Sequence, residues 1–106
     1  MSPAALTLTT AHDGDVHAVG GGQEVHVVLP EVPTSGFQWV LTVDGPVEVV
    51  GDSYEPEGSG IGGGGSRHFV VRTRDGGLAE LRAVLRQEWN PAEPAKRWAA
   101  SLDVSS

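Results

Sequence analysis

The sequence predicts an all-β protein, a sandwich of two antiparallel sheets with about seven to eight strands. Three observations lead there. Short runs rich in Val, Leu, Thr and aromatic residues recur along the chain, with apolar residues at every second position. Turn signals such as Asp13-Gly14, Gly20-Gly21-Gly22, Asp44-Gly45-Pro46 and Asp75-Gly76-Gly77 separate these runs. No alternation of strand-like with helix-like segments calls for a parallel sheet.

The elements follow in order. Ala5 to Thr10 alternates apolar residues with threonine, as a half-buried first strand does. His12 to Asp15 is a turn, and Asp15 to Val19 extends or re-enters a sheet edge. Glu24 to Leu29 is a strand with Val25, Val27 and Leu29 on one face and His26 and Val28 on the other. Phe37 to Val43 follows, with Phe37, Trp39, Leu41 and Val43 on one face. Val47 to Val50 is the next strand and can reach Tyr54. Arg67 to Arg74 places Phe69, Val71 and Thr73 together. Lys96 to Val104 turns Trp98, Ala100, Leu102 and Val104 inward. Leu78 to Glu88 is ambiguous: its Ala, Leu, Glu and Arg content favours helix, whereas the hairpin signal directly before it favours a strand.

Composition narrows the possible functions. The 106 residues suit one domain, with a core spanning about residues 5–104. The absence of cysteine removes disulfides, thiolate metal sites and a cysteine nucleophile. A formal net charge of −7 argues against nucleic acid or an anionic membrane as partner, since both need a basic surface. A basic or mixed-charge protein would be steered in faster. No run has the length of a membrane-spanning helix. Met1 to Ala5 lacks the basic start and apolar stretch of a secretion signal, which fits a cytoplasmic protein or a trimmed secreted one. A monomer is expected.

Three connections stand out. Leu29-Pro30-Glu31-Val32-Pro33-Thr34-Ser35-Gly36-Phe37-Gln38-Trp39 joins two strands through a short stiff loop. Its prolines restrict the approach, Gly36 permits an exit conformation closed to other residues, and Thr34 and Ser35 put two hydroxyls at the tip. Glu55 to Ser66 is dominated by glycine. Trp89 to Pro94 is a loop whose tryptophan falls beyond the strand pattern and is expected to be exposed. Trp39 and Trp98 lie on apolar strand faces and are expected in the core. Taken singly, the first loop could be a plain turn and the glycine loop a flexible linker.

With these loops placed, the chain resembles the chagasin family of cysteine-peptidase inhibitors. Members carry Asn-Pro-Thr-Thr-Gly, then an aromatic, one more residue and Trp; here the stretch reads Val32-Pro33-Thr34-Ser35-Gly36-Phe37-Gln38-Trp39. The family's Gly-x-Gly-Gly fits Gly62-Gly63-Gly64-Gly65 ahead of His68-Phe69, and also fits Gly60-Ile61-Gly62-Gly63. Its Arg-Pro-Trp falls on Gln87-Glu88-Trp89, where only the tryptophan survives, followed by Lys96-Arg97-Trp98-Ala99-Ala100-Ser101-Leu102 for the last strand. The likeness covers about Leu6 to Val104.

It implies an immunoglobulin-like sandwich, a strand at Ala79 to Arg86, and reversible, non-covalent inhibition of papain-like cysteine peptidases. In that reading three loops, 32–37, 58–66 and 87–94, enter the active-site cleft. The peptidase-binding residues it implies are Val32, Pro33, Thr34, Ser35, Gly36, Phe37, Gly60, Ile61, Gly62, Gly63, Gly64, Gly65 and Trp89. The glycine loop is expected to be mobile when free. Val32 lacks the side-chain hydrogen bonds by which the family's asparagine could brace the loop, and Glu88 replaces a stiffening proline ring with a charge. Both departures imply weaker or more selective inhibition than is usual in the family. The alternative is an immunoglobulin-like binding module that kept the scaffold and took another partner.

Enzyme readings lack their context. Gly58-Ser59-Gly60-Ile61-Gly62-Gly63 matches G-x-G-x-x-G, but a strand and no helix follows. Gly60 to Arg67 lacks the lysine and hydroxyl of a phosphate-binding loop. His12, Asp13, Asp15 and His17 could supply oxygen and nitrogen ligands, yet clustered turn residues are usually solvated, and no metal, cofactor or catalytic residue is expected. His26 and His68 read as outward strand positions.

Overall fold

The computed structural model describes residues 6–56, 64–87, 89–90 and 94–105. Among the described residues there are eight strands: β1 (Leu6–Leu8), β2 (Val16–Val19), β3 (Glu24–Glu31), β4 (Phe37–Asp44), β5 (Val47–Pro56), β6 (Gly65–Thr73), β7 (Gly77–Gln87) and β8 (Lys96–Val104). They form two four-stranded sheets, ordered β1-β3-β6-β5 and β2-β8-β7-β4. The ambiguous segment is a strand. β7 runs antiparallel to both β4 and β8, and its Ala79, Leu81 and Ala83 are buried at strand spacing. Tertiary pairing on both sides outweighs the helical propensity of its residues.

The period-2 pattern sets the core. Val25, Val27 and Leu29 of β3, Phe69 and Val71 of β6, Leu81 of β7 and Trp98, Ala100, Leu102 and Val104 of β8 all point between the sheets. Trp39 and Trp98 are each 3% exposed. Each indole N–H still needs an acceptor once buried. Trp39 Nε1 donates to Pro30 O at 2.8 Å and Trp98 Nε1 to Thr9 O at 3.0 Å.

Two features depart from a purely antiparallel sandwich. β1 pairs with β3 and β2 with β8 in parallel. The chain runs along one edge, turns through a 3-10 segment at Thr10–His12 and continues on the edge of the other sheet. One interrupted strand thus covers part of both edges, which limits unpaired backbone there. In β5 the register with β6 shifts between Val49 and Gly51, leaving Val50 as a bulge residue.

Candidate functional site at one end of the sandwich

Strand register brings the three singled-out connections to one end. Glu31, at the end of β3, pairs with Gly65, at the start of β6. Gly65 also pairs with Pro56, the end of β5. Phe37, opening β4, pairs with Gln87, closing β7. The loops β3–β4, β5–β6 and β7–β8 therefore leave the same edge of the core.

The first loop is a 3-10 turn over Pro33–Ser35. Ser35 N–H donates to Val32 O at 3.0 Å and closes it. Ser35 Oγ also donates to Val32 O at 2.6 Å and accepts from Phe37 N–H at 3.2 Å. Ser35 thus spends its hydroxyl inside the loop. Thr34 is exposed, and among the described residues no group bonds its hydroxyl. Ser35 grips the Val32 carbonyl with both its N–H and its hydroxyl, while Val32 itself offers no side-chain hydrogen bond.

The first loop touches each of the other two. Gly36 has φ +82°, the left-handed region that a side chain disfavours. A Cβ there would lie 2.6 Å from Trp89 Cη2, so the indole rests directly on the bare glycine. Trp89 is nevertheless 72% exposed. A Cβ on Gly64 would lie 3.2 Å from Val32 Cγ2. Gly65 belongs to β6 and is buried; a side chain there would strike Tyr54 and the Glu55 carbonyl. Its glycine character serves packing under the loop. Phe37 likewise opens β4 and is half-buried. Gly60, Ile61, Gly62 and Gly63, the two registers of the glycine motif, the expected mobility of that loop and Glu88 lie outside the described residues.

An ion pair between buried Glu31 and half-buried Arg67 underlies this end, and the motifs did not point to it. Glu31 is 3% exposed. Its carboxylate accepts from Trp39 N–H at 2.7 Å and from Arg67 Nη2 at 2.8 Å and Nε at 3.2 Å. Arg67 reaches on to Asp52 at 3.1 Å and lies over the Tyr54 ring at 5.9 Å. The hydrogen bond to Glu31 is the main cause that raises the Arg67 pKa above its ordinary value, with burial acting against it. The signal was present in the alternation: Glu31 continues the parity of Val25, Val27 and Leu29, and Arg67 that of Phe69, Val71 and Thr73.

The histidines are more engaged than their sequence positions suggest. His26 Nδ1 and His68 Nε2 lie 2.8 Å apart across β3 and β6, with Glu24 3.7 Å from His26 and Glu55 3.8 Å from His68. His12, Asp15 and His17 bring ligand atoms within 4.8 Å of one another. However, His12 Nδ1 accepts Thr9 N–H at 3.0 Å. That lone pair is spent, and the neutral ring then carries its proton on Nε2. His12 serves as a cap, and Asp13 accepts Ala99 N–H at 2.9 Å.

Fold and layout define an immunoglobulin-like β-sandwich with one loop-bearing end. The chain belongs to the chagasin family: the description "Chagasin family peptidase inhibitor I42" matches residues 18–104. It is similar to chagasin of Trypanosoma cruzi, 29% identical over 106 residues, covering 92% of this chain and 96% of that one. The crystal structure of the cysteine protease inhibitor EhICP2 from Entamoeba histolytica shares the fold at TM-score 0.86 and 14% identity, over 94% of this chain and 95% of that one. PbICP-C, solved in complex with falcipain-2, shares it at TM-score 0.59 and 13% identity, over 98% and 100%. The family is one of inhibitors, and this chain is not an enzyme.

Proposed function

We propose that the protein is a reversible, non-covalent inhibitor of papain-like cysteine peptidases that blocks the active-site cleft with the three-loop end. The observation that carries this reading is the joining of Pro33–Ser35, Gly64 and Trp89 into one contiguous surface through Gly36 and Val32. Peptidases cleave extended backbone, whereas the tip here is curled and closed by the Ser35–Val32 bond. A curled tip fills the cleft without presenting a scissile bond in line with the nucleophile. Thr34 offers the outward hydroxyl. Trp89, already resting on Gly36, supplies an aromatic anchor of the kind that dominates interface energy. The turn is pre-shaped, so little ordering entropy is lost on docking. Gly60, Gly62 and Gly63 fit close backbone approach to the cleft walls.

Titration of papain and of a cathepsin L-like enzyme tests the reading. Activity falls with inhibitor concentration, and Trp89→Ala raises the inhibition constant by about tenfold to a hundredfold, Thr34→Ala by less. Folded protein that leaves both enzymes untouched at micromolar concentration sinks this reading and favours a binding module with another partner.

A further inference from the structure

We infer that Glu31 and Arg67 are positioning residues that set the geometry of the Pro33–Ser35 tip, and through it the affinity for a peptidase. The inference rests on the inhibitor reading above.

The argument starts from topology. β3 belongs to one sheet and β4 to the other, so no backbone ladder joins the two stems of this loop. In an ordinary hairpin the ladder fixes the tip; here side chains must do it. Two bonds cross the gap, from Trp39 N–H to Glu31 Oε1 at 2.7 Å and from Trp39 Nε1 to Pro30 O at 2.8 Å. The first closes the loop at its base, since Glu31 directly precedes Val32 and Trp39 follows Gly36 by three residues. Arg67 then fixes the same carboxylate to β6, two residues after Gly65, and its other arm reaches Asp52 of β5. The strands carrying the glycine loop and the stems of the Thr34 loop are thereby tied at one buried point.

A buried ion pair is not an efficient source of stability. Desolvation offsets most of its attraction, and apolar residues of similar volume often replace such a pair without loss. Its bidentate geometry does fix orientation. The carboxylate sits where aliphatic residues fill the same face of β3 at Val25, Val27 and Leu29. Geometry, then, is what the pair contributes.

The test separates geometry from stability. The double variant Glu31→Leu/Arg67→Met removes both charges together, leaving neither stranded. Because Leu at position 31 leaves the buried Trp39 N–H without its acceptor, the variant is expected to melt a few degrees lower, while at a temperature where both proteins are folded its inhibition constant for papain rises by about tenfold or more through faster dissociation. Backbone relaxation of the free proteins gives a readout independent of inhibition: the amides of Thr34, Ser35 and Gly36 become more mobile in the double variant. Glu31→Gln, which keeps the shape and one acceptor, provides a second comparison at a temperature where each protein is folded; it moves both readouts in the same direction and by less. Unchanged loop relaxation in the double variant, or unchanged inhibition by a variant whose parent inhibits, overturns the inference. A parent that does not inhibit overturns the proposed function instead, and loop relaxation still decides the positioning role.

Discussion

Gly36 meets two requirements at once. Its φ of +82° lies where a Cβ costs about 1–2 kcal/mol, and its bare Cα is the floor on which the Trp89 indole rests. Gly36→Ala is therefore expected to lower unfolding free energy by about that amount in urea melts and also to weaken inhibition, because the indole must move. Trp89→Ala, by contrast, removes a mostly exposed side chain and should leave stability nearly intact. An equal loss of stability in both variants would contradict this assignment. Ser35 presents a different case. Its hydroxyl holds the turn at Val32 O and Phe37 N, so Ser35→Ala should cost at most about 1 kcal/mol of stability but raise the inhibition constant several-fold by loosening the tip.

At the scale of elements, the sandwich and the loops answer to different residues. Leu102 in β8 and Leu81 in β7 are wholly buried. Leu102→Ala should cost about 2–5 kcal/mol, measured by thermal melting. Where the variant remains folded, its inhibition constant should match that of the parent, because the loops leave strand ends outside the substituted layer. A large change in affinity at full folding would show that core and loop end are more tightly coupled than the packing indicates. Arg67 adds a statement about pH. Its folded-state pKa is raised, so the stability it contributes is fully present below the unfolded-state value and is lost only as pH rises through the raised one. The stabilising contribution of Arg67 should accordingly be constant between mildly acidic and neutral pH.

The whole molecule carries a net charge of −7 with an uneven distribution. Arg72, Arg74 and Arg82 pair with Glu24, Glu48 and Glu80, and Arg67 is held by Glu31 and Asp52. Arg86, Lys96 and Arg97 lie on the ends of β7 and β8 that lead to the Trp89 loop. These three cations oppose the overall charge, while Glu55, Glu57, Glu88 and Glu93 in or beside the same loops add to it. Against a peptidase of net positive charge, the association rate should fall with added salt. Reversing the local charge with Arg86→Glu/Arg97→Glu should raise that rate several-fold at low ionic strength and leave dissociation less affected. A rate indifferent to salt in stopped-flow mixing would count against steering.

Much of this was legible in the chain because strand parity and turn chemistry are local. Alternation at Val25–Leu29 and Trp98–Val104 determined the buried faces, and the glycines and prolines marked the loops and the stiffness of Pro33–Gly36. The strand at Leu78–Glu88 was not decided locally: the same residues satisfy two periods, and only pairing with β4 and β8 on either side selects one. The parallel edge strands were hidden as well, since direction depends on where a crossing chain lands. The same holds for the contact of Trp89 with Gly36, 53 positions apart in the numbering, and for the ion pair of Glu31 with Arg67. The sequence by itself determined which residues face the core and which loops could bind. Only the tertiary structure decided that those loops share one end, meet at the first loop and are tied below by an ion pair, because contacts between distant positions exist only once register and sheet order are set.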